Sequence, residues 1–361
     1  MSLEDRRQAL HRVQEARNSK VVAYVMADRL TTPPIPGMST RLAAEPQLQL
    51  ADHLNSLGRV ENLDLFLYTR GGDTNSVWPL VNMCREFCEK FALLVPFRAH
   101  SAGTLIGLGA DEIVMGPFGE LSPIDPETTN PFNPVFENDP SKRKPISVED
   151  VASYMELARD KEYVGLEREE HILEVFRGLS HHVHPLALGN VFRTLRQTRL
   201  LARKLLELHM DAERDKERID TIIDTLTVEL YSHHHVIGRE ESLSFMGEGF
   251  VKIPSEEEEQ AMSDLFEHYA KAFKLRTRFN LLEFLGDEVE REIVVIGAYI
   301  ESESLAHVFR CKSILSAKSQ LPPNVQVQAP PGQPIPRVPG FPLSMTVQPV
   351  WQGWEPNEGG D

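Results

Sequence analysis

Two glycine-marked turns carry the residue types that acyl-transfer chemistry needs. Arg70-Gly71-Gly72-Asp73 follows the alternating apolar run 63–68, and His100-Ser101-Ala102-Gly103 follows the apolar run 92–97. Each turn leaves into a run with helical apolar spacing. A serine between a strand and a helix start is small and exposed, and a glycine turn on a neighbouring strand lets backbone N–H groups reach a developing oxyanion. Ser101 is therefore a candidate nucleophile, with a helix N-cap as its plainer reading.

The elements that must position these turns are legible from periodicity. A helix is expected over 3–19, a strand over 21–26, a Pro/Thr loop over 31–38, and a helix over 44–57 ending at Gly58. The two turns then alternate with a strand over 63–68, a helix over 75–90, a strand over 92–97, a helix over 101–110 and a strand over 112–115. Strands and helices in this order with short connections read as a parallel α/β sheet.

Beyond that core the character changes. Residues 127–145 lack periodicity and read as a long loop, open to three roles: a lid, a subunit contact or a locally disordered segment. Ser147-Val148-Glu149-Asp150 has capping-box form and opens a charged helical stretch to Gly178. A longer helix is expected over 188–209, with an apolar stripe through Leu195, Leu201, Leu205 and Leu208, and helical spacing continues over 220–230. After a short helix in 238–250, Ser255 opens a helix with Glu256 to Glu259 in its first turn, where carboxylates suit the dipole. Residues 292–300 read as a buried strand, and the Pro-rich stretch from 318 to 361 reads as a flexible, disordered tail. The organisation expected is a domain over 1–252 with an insertion at 127–183, a helix-strand-helix addition over 253–317, and the tail.

The chain has 361 residues, 41% hydrophobic and 25% charged, with a formal net charge of −16. An acidic balance disfavours nucleic acid and anionic membranes as partners. No apolar run reaches the roughly 18 to 20 residues of a membrane helix, and the charged amphipathic N-terminus has no apolar signal core, so a cytoplasmic protein is expected. Cys84, Cys88 and Cys311 are too few for a disulfide framework, and the first two share an apolar helical run, so buried thiols are expected. Neither a metal nor a cofactor is called for.

Four segments in order resemble the Clp-protease and crotonase superfamily, and within it the serine dehydrogenase proteinase group related to signal peptide peptidase A. They are Tyr68-Thr69-Arg70-Gly71-Gly72-Asp73, Ala99-His100-Ser101-Ala102-Gly103-Thr104, Gly109-Ala110-Asp111-Glu112-Ile113-Val114-Met115 and Leu121-Ser122-Pro123-Ile124-Asp125-Pro126. The resemblance covers 20–126 well and 186–252 loosely. It implies a spiral of ββα units with helical additions, homo-oligomeric assembly, and hydrolysis of a peptide or unfolded protein by a serine. Carried over, Ser101 falls on the nucleophile, with the Gly71 and Ala102 amides as oxyanion donors. The G-x-S-x-G elbow of α/β-hydrolases is absent.

The base does not carry over. Asp125 stands about where Clp proteases place a histidine, and an ordinary carboxylate is poorly matched to activating a serine hydroxyl. Signal peptide peptidases use a buried lysine near the start of the helix that here offers Arg193, Arg196 and Arg199. Lys204 and His184 are candidate bases without a motif. His233, His234 and His235 fall near the expected triad aspartate, and consecutive residues cannot all face one metal. His100 should point away from Ser101. Three functions compete: a serine peptidase, a catalytically silent scaffold binding a protein partner through the Pro-rich tail and the 127–183 insertion, and an acyl-CoA enzyme of crotonase type. The serine at 101 counts against the last, and no ATPase motif is present.

Overall fold

The computed structural model describes all residues except 1, 30, 33–34, 36–39, 125–126, 129, 138, 231–234, 322–337, 339 and 360–361. Helix α1 (Leu3–Arg17) opens on a capping box between Ser2 and Asp5 and leads into β1 (Lys20–Met26). After the short β2 (Thr31–Thr32) come α2 (Gln47–Leu57), β3 (Val60–Tyr68), α3 (Val77–Glu86), β4 (Cys88–Val95), α4 (Ala102–Leu108), β5 (Glu112–Met115) and β6 (Glu120–Leu121). The expected helix over 75–90 ends at Glu86. Cys88 opens the next strand because it pairs with Val60 in parallel register.

The region expected as an unstructured loop holds β7 (Glu127–Thr128), β8 (Val135–Phe136), β9 (Asp139–Arg143) and β10 (Ile146–Ser147). They pair as β7 with β10 and β8 with β9. Three of these strands are two residues long and the fourth, β9, is five charged or turn-forming residues, so none carries an apolar period to read. The charged stretch after Ser147 divides into α5 (Val148–Arg159) and α6 (Glu169–His182). Then follow α7 (Pro185–Leu206), α8 (Lys216–Asp224), a π-type turn (Thr225–Glu229), β11 (Ile237–Gly238), α9 (Arg239–Met246) and β12 (Val251–Lys252).

Helix α10 (Glu256–Ala272) opens on the Ser255 capping box and carries its four glutamates in the first turn. It is followed by β13 (Phe279–Asn280), α11 (Leu281–Leu285), β14 (Glu290–Glu301), β15 (Ala306–Ser319) and β16 (Leu343–Pro356). The last two strands correct the sequence reading. Where a helix was expected after 300, β15 pairs with β14, and residues 343–356 of the expected flexible tail form a strand along β15. That tail segment, Leu343 to Trp354, is free of charged side chains and gains its hydrogen bonds only from a partner distant in sequence.

One eight-stranded sheet results, in the order β12-β5-β4-β3-β1-β14-β15-β16. Its first five strands are parallel and the β14 to β16 half is antiparallel. Strand alternation sorts the side chains: Leu65 and Leu67 pack with Leu54, Val81, Leu105 and Leu205 on one face. Phe66 and Tyr68 pack with Leu10, Leu265 and Tyr269 on the other. A helix layer therefore covers each face of the parallel half, which is what a crossover sheet requires. Arg6, fully buried, reaches the Glu301 carboxylate at 2.7 Å, and the Tyr269 hydroxyl donates to it at 2.8 Å, so α1, α10 and β14 share one buried charge. Among the described residues no helix is long and apolar enough to cross a membrane.

Candidate active site

The two glycine-marked turns leave neighbouring parallel strands and lie side by side at their C-terminal ends, where open α/β sheets place their ligands. Thr69 N–H donates to Arg98 O at 2.9 Å, and His100 N–H donates to Thr69 O at 3.2 Å, extending the β3–β4 ladder into both turns. Leu42 adds a parallel bridge to Gly72 on the far side: its N–H donates to Gly71 O and its carbonyl accepts from Asp73 N–H, both at 2.9 Å. The N–H of Gly72 therefore faces away from Leu42. A Cβ at Gly72 would stand 2.1 Å from the Leu42 carbonyl oxygen, so only glycine fits.

Ser101 links β4 to α4 in a conformation that side chains rarely adopt, with φ 51 and ψ −109. Its backbone is clamped on both sides. Ser101 N–H donates to Ser122 Oγ at 2.8 Å, Ser122 Oγ donates onward to Pro123 O at 3.1 Å, and Ser101 O accepts from Leu105 N–H at 3.0 Å. Ser122 is itself fixed, since its N–H donates to Thr104 Oγ1 at 3.1 Å and its carbonyl oxygen lies 3.0 Å from the same hydroxyl. The N–H of Ala102, the first residue of α4, has no acceptor among the described residues and opens toward the turn. Ser101 stands at the N-cap position of α4, and its side chain makes no capping bond there.

Gly71 sits directly on Ser101. A Cβ there would lie 2.7 Å from Ser101 Cβ and 2.9 Å from His100 O, and its φ of 92 belongs to glycine. Its amide differs from expectation: Gly71 N–H donates to Thr69 Oγ1 at 3.0 Å. Among the described residues, the N–H of Gly72 has no acceptor on that turn, nor has that of Arg70.

The candidate bases lie elsewhere. Lys204 is exposed on α7, with its ammonium 5.8 Å from the Trp78 ring centroid. His184 caps α7, accepting from Leu186 N–H at 3.2 Å, and its exposed ring stacks on Phe132 at 4.9 Å. The described contacts bring neither to Ser101. The arginines of α7 serve its packing: Arg199 reaches Thr227 at 2.6 Å and also Asp224, and Arg203 pairs with Asp220. Asp125, His233 and His234 lie outside the described residues, and His235 pairs with Glu241 at 2.9 Å.

His100 turns toward Glu120, 3.2 Å away but poorly aligned for a hydrogen bond, and burial holds its imidazole below the usual histidine range against the pull of Glu120. All three cysteines are free and buried, and burial pushes the Cys84 and Cys88 thiols up, the latter to about 11. No group of three metal-ligating side chains is assembled among the described residues. The sequence reading had singled out neither Thr69 nor Ser122 for a role. Both lie inside the resembling segments, but only their contacts reveal what they hold.

Residues 1–161 match the family model of ClpP-like serine proteinases of the SDH type. Two uncharacterized proteins of Methanocaldococcus jannaschii are each 34% identical to this chain over 65 residues, 18% of its length. The match spans 22% of one relative and 23% of the other, so the chain covers less than a quarter of either.

Proposed function

From the first 161 residues, which place the chain in the Clp-protease-like superfamily, we propose that it is a serine peptidase acting at Ser101 within a homo-oligomer. The observation that carries the proposal is the strained Ser101 turn, φ 51, packed against Gly71 at the head of α4. Strain of this kind costs about 1–3 kcal/mol and persists where surrounding bonds over-determine it, as those from Ser122 and Leu105 do here.

In the reaction Ser101 Oγ attacks the peptide carbonyl carbon and gives up its proton to a base. The carbonyl oxygen becomes an oxyanion, and the amine leaves with a proton to give an acyl-serine that water then hydrolyses. The Ala102 N–H supplies one oxyanion donor. The Gly72 N–H supplies the second in this arrangement, and Gly71 serves by its bare Cα, which keeps the approach to Ser101 open. The described contacts of Lys204 and His184, with the Trp78 and Phe132 rings, do not include Ser101. Free, buried thiols fit a reducing compartment such as the cytoplasm. Assembly is supported by α6, which buries no residue while exposing Leu173 and Phe176.

Labelling by a fluorophosphonate probe is the test: wild type should be modified at Ser101 and should cleave unstructured peptides, and Ser101→Ala should do neither. Undiminished turnover in Ser101→Ala would sink the proposal. A second reading, a silent scaffold that binds a protein partner, is favoured by one observation: the Ser101 hydroxyl has no hydrogen-bond partner among the described residues. Absence of labelling together with a partner recovered equally by wild type and Ser101→Ala would select it.

A further inference from the structure

Over the C-terminal end of β1, on the sheet face that carries Leu65 and Leu67, lies a cavity of about 420 Å³, within the range of small-ligand sites. Its floor is a row of side chains paired across four adjacent strands: Met26 on β1, Ala298 on β14, Phe309 on β15 and Trp354 on β16. Trp354 packs against Phe309 at 5.6 Å and edge-on against Tyr24 at 6.2 Å. Ala298 is the small member of the row, so the floor dips between Met26 and Phe309. Tyr24 is only 2% exposed and lines this hollow, and its hydroxyl makes no hydrogen bond among the described residues. Burial, with the Glu45 carboxylate second, pushes its pKa up, so the phenol stays protonated and keeps a proton to donate. Arg41 and Glu45 are the one cation and the one anion of the lining, which therefore selects no charged group.

One wall is the segment that braces the glycine turn. Leu42 commits its N–H and carbonyl to Gly71 and Asp73, so the backbone groups of its neighbours Arg41 and Ala43, both lining the cavity, face the opposite way. None of them has a hydrogen-bond partner among the described residues. Free N–H and C=O groups on alternate residues are the edge that an extended chain pairs with. A compact aromatic molecule would fill the hollow and leave that edge bare. An extended peptide satisfies both, because its main chain pairs with 41–43 while one aromatic side chain enters between Tyr24, Phe309 and Trp354. The floor is also joined to the reaction site: Met26 Sδ accepts from Thr69 Oγ1 at 3.0 Å, and the same oxygen takes the Gly71 N–H.

We propose that this cavity is a subsite for an aromatic side chain of an extended peptide, bound by strand addition along residues 41–43 and apart from the peptide bond that is cut. The proposal rests on the peptidase reading for its occupant, and its test is binding, so that the two can fail separately. Fluorescein-labelled Gly/Ser dodecapeptides with a single central Phe, and their counterparts with Ala in its place, are titrated against the full-length Ser101→Ala chain. The Phe peptide should bind about 10-fold tighter or more. N-methylation of alternate residues around the Phe should abolish binding in one of the two frames and spare it in the other. Ala298→Leu, which fills the hollow, should bring the Phe and Ala peptides within about twofold. Tyr24→Phe, which removes no hydrogen bond of the fold, should weaken the Phe peptide about fivefold while the melting temperature stays near that of the parent.

Equal binding of the two peptides, no binding of either, or a preference unmoved by Ala298→Leu or by Tyr24→Phe overturns the subsite. Binding of N-acetyl-phenylalaninamide as tight as that of the peptide, or equal tolerance of both N-methyl frames, overturns the extended chain as occupant. A wild-type chain that cleaves nothing while Ser101→Ala keeps a preference sensitive to Ala298→Leu refutes the peptidase reading and leaves the subsite standing.

Discussion

A Cβ added to Gly71 would stand 2.7 Å from Ser101 Cβ, nearer than side-chain carbons approach in folded proteins. The same residue has φ 92, so Gly71→Ala meets both a clash and a backbone penalty. Neither neighbour can yield, because Ser101 is bonded through its N–H and its carbonyl. Gly71→Ala should cost about 1–3 kcal/mol of stability and abolish fluorophosphonate labelling. Chemical denaturation and probe labelling of the same preparation check both halves.

Ser101→Gly should move stability and function in opposite directions. Glycine adopts the φ 51, ψ −109 conformation without penalty, so removing the side chain should raise stability by about 1 kcal/mol. Peptide cleavage should vanish with the hydroxyl. A variant less stable than wild type would mean that the turn stores no strain.

Ser122 is 3% exposed and its hydroxyl accepts the Ser101 N–H at 2.8 Å. Ser122→Ala leaves that N–H and the Pro123 carbonyl without a partner, at about 1–3 kcal/mol. Because Ser122 acts through Ser101, kcat should fall at least 10-fold while KM changes little. Ser122→Thr, which keeps the hydroxyl, should recover most of the rate, and a loss confined to KM would contradict the positioning role.

His53 supplies a pH dependence distant from the reaction site. Fully buried, it contacts the Ser302 hydroxyl at 2.7 Å and His307 Nδ1 at 3.0 Å, and burial, with His307 beside it, holds its imidazole down at about 3. An unfolded histidine titrates near 6.5, so between these values the unfolded chain binds the extra proton. The contribution of neutral His53 is complete above about pH 6.5 and is lost progressively as pH falls toward 3, by at most about 1.4 kcal/mol per pH unit. Urea midpoints from pH 7 to pH 4 should fall in wild type, and His53→Gln should flatten the part of that slope due to this residue.

Much of the fold was legible because its signals are local. The alternation of 63–68 sorts Leu65 and Leu67 from Phe66 and Tyr68 to opposite faces in the sheet, as a period of two demands. Capping boxes at Ser2 and Ser255 start helices where glutamate or aspartate stands three residues on. What periodicity could not carry was pairing at long range. Strand β16 looked like part of a Pro-rich tail because its hydrogen bonds come from β15, across residues 320–342.

The site divides along the same line. Residue type and position marked Ser101, a hydroxyl between a strand and a helix start, as a nucleophile candidate, and marked the glycines at 71 and 72 as a turn, since only glycine offers that backbone freedom. Tertiary structure decided which amide each glycine turns outward. Thr69 takes the N–H of Gly71, and the Leu42 bridge leaves that of Gly72 facing the other way. It also set Lys204 over Trp78 and His184 against Phe132, contacts that depend on how α7 lies across its neighbours. Sequence carries the conformational permission of each residue, whereas the direction of an N–H or an ammonium group follows from which distant segment packs beside it.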